Sequence, residues 1–144
     1  MKKKFEIKIC GITDNNSMVA AINSEVDFVG FVFYEKSPRN INLSHAKSLI
    51  SKKGFKTKIV ALTVNASDTF LNEIESNISP DYFQLHGSES PIRCNEIRSK
   101  FKIPIIKGLA VSDKDSLKNS VKKYENSCDI LILDTPSNNL PGGN

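Results

Sequence analysis

The chain has 144 residues, enough for one ordinary domain and too few for two. At 39% hydrophobic and 25% charged it is neither disordered nor fibrous, and no apolar run reaches the ~18 residues of a membrane helix. The net charge of +4 comes from scattered lysines, not from a basic stripe. That points away from nucleic acid and suits an anionic small molecule.

The N-terminal Met1-Lys-Lys-Lys-Phe-Glu is basic but leads into a short strand-like run, not the apolar core of a secretion signal. Cys10, Cys94 and Cys128 cannot all pair and show no C-x-x-C spacing. With only His45 and His86 besides, no structural zinc site is expected. A reduced, cytoplasmic protein without a metal is the plain reading.

In chain order, strand-like runs fall at residues 5–10, 27–33, 57–64, 81–85, 103–107 and 128–133. Several are apolar at consecutive positions, Phe28-Val-Gly-Phe-Val-Phe33 most plainly, as in strands covered on both faces of a parallel sheet. Helical spacing lies between them. Phe70, Leu71, Ile74 and Ile78 form one apolar stripe, and Leu117, Val121 and Tyr124 another. Thr13-Asp14 reads as a helix start, and Ser90-Pro91 puts a capping hydroxyl before a first-turn proline. Ser112-x-x-Asp115 resembles a capping box. Six strands and five helices in alternation predict an α/β fold with a parallel sheet. The run starts are 22 to 30 residues apart, the period of a repeated βα unit, with no linker or second domain between them.

In such folds ligands bind beyond the carboxyl ends of the strands. Collecting polar residues there gives Cys10, Arg39, His86, Lys107 and Asp134, expected to share one rim. Each has an ordinary alternative. Cys10 could be a small buried hydrophobe, as Cys94 and Cys128 are expected to be, and Asp134 a turn residue. Lys107 and His86 could make routine rim hydrogen bonds. Arg39 is one of three arginines against 17 lysines, and its planar fork suits a carboxylate. Gly142 and Gly143 offer backbone amides to an anion.

The segments Lys8-Ile-Cys-Gly-Ile-Thr13, Gly30-Phe-Val-Phe-Tyr-Glu-Lys-Ser-Pro-Arg39, Phe83-Gln-Leu-His-Gly87, and Leu133-Asp134 with Pro141-Gly-Gly143 closely resemble the phosphoribosylanthranilate isomerase family of tryptophan biosynthesis. The resemblance runs over essentially the whole chain, in the family's order and spacing. It implies a (βα)8 TIM barrel and an Amadori rearrangement of N-(5-phosphoribosyl)anthranilate. The product would be 1-(2-carboxyphenylamino)-1-deoxyribulose 5-phosphate, made by an aldose-ketose isomerase with no cofactor. It implies Cys10 as general base, Asp134 as general acid and Arg39 as the holder of the anthranilate carboxylate. His86 would line the pocket by the same resemblance, and Lys107, Gly142 and Gly143 are expected at the substrate from their strand-end and loop positions. The small phosphorylated substrate would be the partner, with no nucleic acid or membrane and a monomeric or homodimeric state.

Eight units at about 25 residues need roughly 200. Residues 1–144 are therefore expected to form a single incomplete barrel domain lacking its last two βα units, with open edges at the first and sixth strands. On its own the chain is expected to show little or no isomerase activity. A different class, a non-catalytic open-sheet α/β module that binds or self-associates, also fits the pattern. A phosphoryl-receiver domain is disfavoured, because Cys10-Gly11 stands where clustered acids would be needed.

Overall fold

The computed structural model describes residues 5–52 and 56–136. The elements run β1 (Lys8–Cys10), α1 (Asn15–Asn23), β2 (Phe28–Phe33), α2 (Leu43–Ile50), β3 (Lys58–Thr63), α3 (Asp68–Ile78), β4 (Tyr82–Leu85), α4 (Pro91–Phe101), β5 (Ile105–Ala110), α5 (Lys114–Tyr124) and β6 (Ile130–Asp134). All six strands are parallel and stand in the order β1-β2-β3-β4-β5-β6. Sequential parallel order with a helix between successive strands is the winding of a (βα)8 barrel, of which the described residues form a half-barrel of six strands. β1 and β6 are its edges, and Phe5, Ile7 and Ile9 at one edge and Leu133 at the other remain 68%, 43%, 43% and 53% exposed.

Side-chain parity separates two apolar layers. Val29, Phe31 and Phe33 of β2 pack with Ile59 and Ala61 of β3, Phe83 and Leu85 of β4 and Ile105 and Leu109 of β5. With Met18, Ala46, Leu71, Ile74 and Ile97 from the helices they form the main core. The opposite parity points into the half-barrel. There Phe28, Val60 and Ile106 make a smaller cluster with Tyr82, Ile130 and Ile132. At its floor, Phe28 and Tyr82 meet edge to face at 5.7 Å. The Lys58 ammonium lies 5.2 and 5.6 Å from the two ring centroids. Every residue of β2 is buried because both faces are covered, which is why its sequence is apolar without alternation.

All five helices begin on a short polar side chain that takes a free first-turn amide. Asp14, Asn42, Ser67, Ser90 and Asp113 accept from Ser17, His45, Phe70, Arg93 and Ser116 respectively. The expected cap at Ser112 lies one residue later. The Asp113 carboxylate accepts two amides, from Asp115 and Ser116, and the Ser116 hydroxyl closes the box on the Asp113 amide. In the α3 stripe Leu71, Ile74 and Ile78 are buried. In the α5 stripe only Tyr124 is.

One device recurs at the amino ends of the strands. The Asp27, Asp81 and Asp129 carboxylates accept the amides of Ile7, Ile59 and Ile105, and each aspartate amide donates back to the same isoleucine's carbonyl. An aspartate at the start of each even strand thus pins the start of the preceding odd one. β1 is shorter than its apolar run, its pairing with β2 spanning only Lys8 to Cys10. β5 begins after Pro104, which has no amide for the ladder, and continues to Ala110. Lys107 and Gly108 therefore lie inside the strand and not at its end.

Candidate active site

Four of the expected residues reach the carboxyl end of the half-barrel, in two groups. Cys10 is the last residue of β1 and is paired in register with Gly30. A Cβ on Gly30 would stand 2.9 Å from the Cys10 sulfur and 3.1 Å from the Lys8 ammonium. The missing side chain leaves the space that both groups face. Arg39, from the β2–α2 loop, crosses to β1 and donates from Nη1 to the Cys10 carbonyl at 3.1 Å. Its stem lies on Gly11, where φ is +85° and a Cβ would come within 2.5 Å of the arginine Cδ. Gly11 is thus required both by its backbone conformation and by the side chain above it.

The second group joins β4 to β6. His86, the residue after β4, is held by its amide on the Thr63 carbonyl at 2.9 Å. Its Nε2 lies 3.3 Å from Oδ2 of Asp134, the last residue of β6. Its Nδ1 lies 3.3 Å from the Gln84 amide nitrogen. With Gln84 donating to Nδ1, the imidazole proton sits on Nε2 and is donated to Asp134. Burial pushes His86 below its ordinary 6.5, with the Asp134 charge and hydrogen bond opposing. Burial wins, so the ring is neutral at pH 7. Gly108 supplies the room for it, since a Cβ there would fall 2.3 Å from Nδ1.

Lys107 is a correction. Its parity is that of Ile105 and Leu109, so its side chain enters the helical layer and not the half-barrel. It is 1% exposed. Its ammonium donates to the carbonyls of Leu85, Gly87 and Gly108 at 3.1, 2.8 and 2.9 Å and lies 3.3 Å from Glu89 Oε2. Thus occupied, it does not face a ligand at the rim. Gly142 and Gly143 lie outside the described residues. Cys94 is buried, its thiol pushed up to about 11. Cys128 donates to the Tyr124 carbonyl and is raised by burial as well. Cys94 is the buried residue expected, whereas Cys128 is only half-buried. Among the described residues no group of three His, Cys, Asp or Glu is placed to hold a metal ion, and no helix is long and apolar enough to cross a membrane. A cavity of about 550 Å³ lined by Phe33, Tyr34, Ile41, Leu43, Val64 and Phe70 opens beside β2 and β3 and includes none of the four rim residues.

Lys8, Gln84 and Gly108 had drawn no functional expectation. Parity is the signal that finds them. Lys8 stands two before Cys10, Gln84 two before His86, and Gly108 pairs with Ile132 of the interior face.

Parallel strands in sequential order, with thiol, guanidinium, imidazole and carboxylate gathered at their carboxyl ends, define the class of (βα)-barrel proteins. A family profile described as N-(5'-phosphoribosyl)anthranilate isomerase matches residues 7–144. The chain belongs to the phosphoribosylanthranilate isomerase family. It is 41% identical over 142 residues to that isomerase of Rhizobium rhizogenes, covering 96% of this chain and 64% of the relative. With the Rhodopseudomonas palustris isomerase it shares 39% over 140 residues, 95% and 64% of the two chains. The crystal structure of the Thermotoga maritima isomerase superposes with a TM-score of 0.84 at 28% identity, over 96% of this chain and 65% of that one. A phosphoribosylanthranilate isomerase in complex with reduced 1-(o-carboxyphenylamino)-1-deoxyribulose 5-phosphate gives 0.81 at 29%, over 92% and 66%. The chain spans slightly under two thirds of the length of these curated relatives.

Proposed function

We propose that the protein is a phosphoribosylanthranilate isomerase of tryptophan biosynthesis, acting in the cytoplasm as a monomer or homodimer on a small phosphorylated substrate and not on nucleic acid. The single observation that supports this most is the placement of Cys10 and Asp134 at the carboxyl ends of the first and sixth strands. Between them lie Arg39 on the Cys10 carbonyl and His86 on the Asp134 carboxylate. Residues 1–144 are taken as a single domain, the part of the barrel this chain shares with its relatives.

In this reading Asp134 delivers a proton to the ribose ring oxygen as the C1–O bond breaks, and the anilino nitrogen lone pair forms the Schiff base at C1. That cation acidifies the C2 proton, which the Cys10 thiolate removes to leave an enolamine. Ketonisation then gives the 1-deoxyribulose product. Each well-placed proton transfer is worth ~10²–10⁴-fold. A neutral His86 donating to Asp134 fixes the carboxyl group's orientation. Arg39 offers its fork to the anthranilate carboxylate.

The test is turnover of N-(5-phosphoribosyl)anthranilate by the 144-residue chain and by the same chain extended with the remaining third of the Rhizobium rhizogenes relative. The chain alone is expected to show little or none and the extended one a clear rate. Cys10→Ala and Asp134→Asn should each abolish most turnover, and Arg39→Ala should mainly raise KM. An extended chain that folds without turnover, or a Cys10→Ala variant with near-normal kinetics, would overturn the assignment.

A further inference from the structure

Lys107 and Glu89 form an ion pair whose side chains are only 2% and 3% exposed. It lies behind the sheet from the candidate site. A pair taken out of water is a poor source of stability, because desolvation of both charges offsets most of their attraction. What distinguishes this pair is where its remaining hydrogen bonds go. Lys107 donates to the carbonyls of Leu85 and Gly87, the residues on either side of His86, and to the carbonyl of Gly108, on which the His86 ring rests. Glu89 accepts the Gly87 amide at 2.9 Å and the Asn65 amide at 2.7 Å, and its own carbonyl is fixed by the Tyr124 hydroxyl at 2.9 Å. The turn from β4 into α4 is thus pinned immediately before, immediately after and beneath His86 by one buried pair of charges.

We infer that Lys107 and Glu89 are positioning residues that set the His86 imidazole against Asp134 from the opposite face of the sheet. The inference rests on the site reading above. Its physical content is preorganisation. A glycine follows His86, and the pair supplies the rigidity that the backbone itself lacks there. Charged donors and acceptors give shorter, stronger bonds to peptide groups than neutral ones.

The experiment uses the 144-residue chain with Lys107→Met, Glu89→Gln and the double variant, beside Ile97→Val as a control that only thins the core of α4. His86 is followed by ring nitrogen NMR against pH, and stability by thermal melting. Each single variant is expected to melt lower, since it strands a buried charge. The double variant is expected to recover most of that loss. In all three, His86 should lose its single Nε2–H tautomer, and in the double variant, where the two opposed charges leave together, its titration midpoint should move as well; Ile97→Val leaves both unchanged. In the extended, active chain the double variant should lower kcat at least tenfold with KM within about twofold. If the single variants do not fold, the double variant carries the test. An unchanged His86 tautomer and midpoint in the double variant would make the pair purely structural and overturn the inference. Because the NMR result does not require turnover, a displaced His86 in the variants together with an extended chain that folds but shows no isomerase activity would sink the functional reading and leave the positioning role standing.

Discussion

Replacing Gly108 with alanine puts a methyl group 2.3 Å from His86 Nδ1, 2.8 Å from Cε1 and 3.0 Å from Cγ. Ordinary contact is about 3.5–4.0 Å, so ring or strand must yield by roughly 1 Å. The ring is already held at 3.3 Å on both Asp134 and Gln84 and has no slack in either direction. Two effects of opposite sign compete. Gly108 has no positive φ to protect, so alanine by itself would stabilise the strand by about 0.5–1 kcal/mol through the unfolded chain. Overpacking costs about 1–3 kcal/mol, and displacing the ring weakens a hydrogen bond to a carboxylate worth about 1.5–3 kcal/mol. The clash wins. Gly108→Ala should lower stability by about 1–2 kcal/mol, a fall of roughly 3–8 °C in Tm. In a His86→Ala background the obstacle is gone, and the same substitution should become neutral or stabilising by up to ~1 kcal/mol. A double-mutant cycle by urea denaturation measures both. An equal loss in the two backgrounds would refute the argument that Gly108 exists to seat the imidazole.

Gly11→Ala should strain a backbone at φ +85° and push into the Arg39 stem. It should cost about 1–3 kcal/mol in stability and raise KM more than it lowers kcat. His86 should titrate below 6.5 by NMR, because burial outweighs Asp134. The unfolded chain then takes up a proton near 6.5 that the folded chain refuses until lower pH, so acidification below 6.5 costs stability that is fully present above it. His86→Gln should flatten that slope, and Asp134→Asn should drive the His86 midpoint lower still. A midpoint that rises in Asp134→Asn would contradict the contact. Phe83, fully buried and edge to face with Phe101 at 5.5 Å, should cost about 3–5 kcal/mol when truncated to alanine. Chemical denaturation checks it.

Much of this protein was legible in the sequence for local reasons. Apolar runs at a βα period, with proline and capping residues between them, admit few folds other than a parallel sheet wound in order. The cap at Ser90 and the stripe on α3 were readable because their geometry depends on residues three and four apart. Cys10, Arg39, His86 and Asp134 were found by one rule, that polar groups just past a strand gather at one end. The rule failed at Lys107. Where β5 ends is settled by pairing with β6 and not by Lys107's neighbours, and the extension to Ala110 turned an expected rim residue into a buried one. Cap placement at Asp113 was missed by one position for a related reason, since two adjacent polar residues can each begin a helix and only the bonds formed decide.

The sequence by itself determined the fold class and the four groups that could carry chemistry, because periodicity and strand-end position are properties of neighbours along the chain. Only the tertiary structure decided which face each group takes and what it touches. It placed His86 against Asp134 across β5, emptied Gly108 and Gly30 to make room for a ring and a sulfur, and sent Lys107 behind the sheet to Glu89. Those arrangements join residues 18 to 48 positions apart, and contacts at such separation are set by register and packing, which no local pattern encodes.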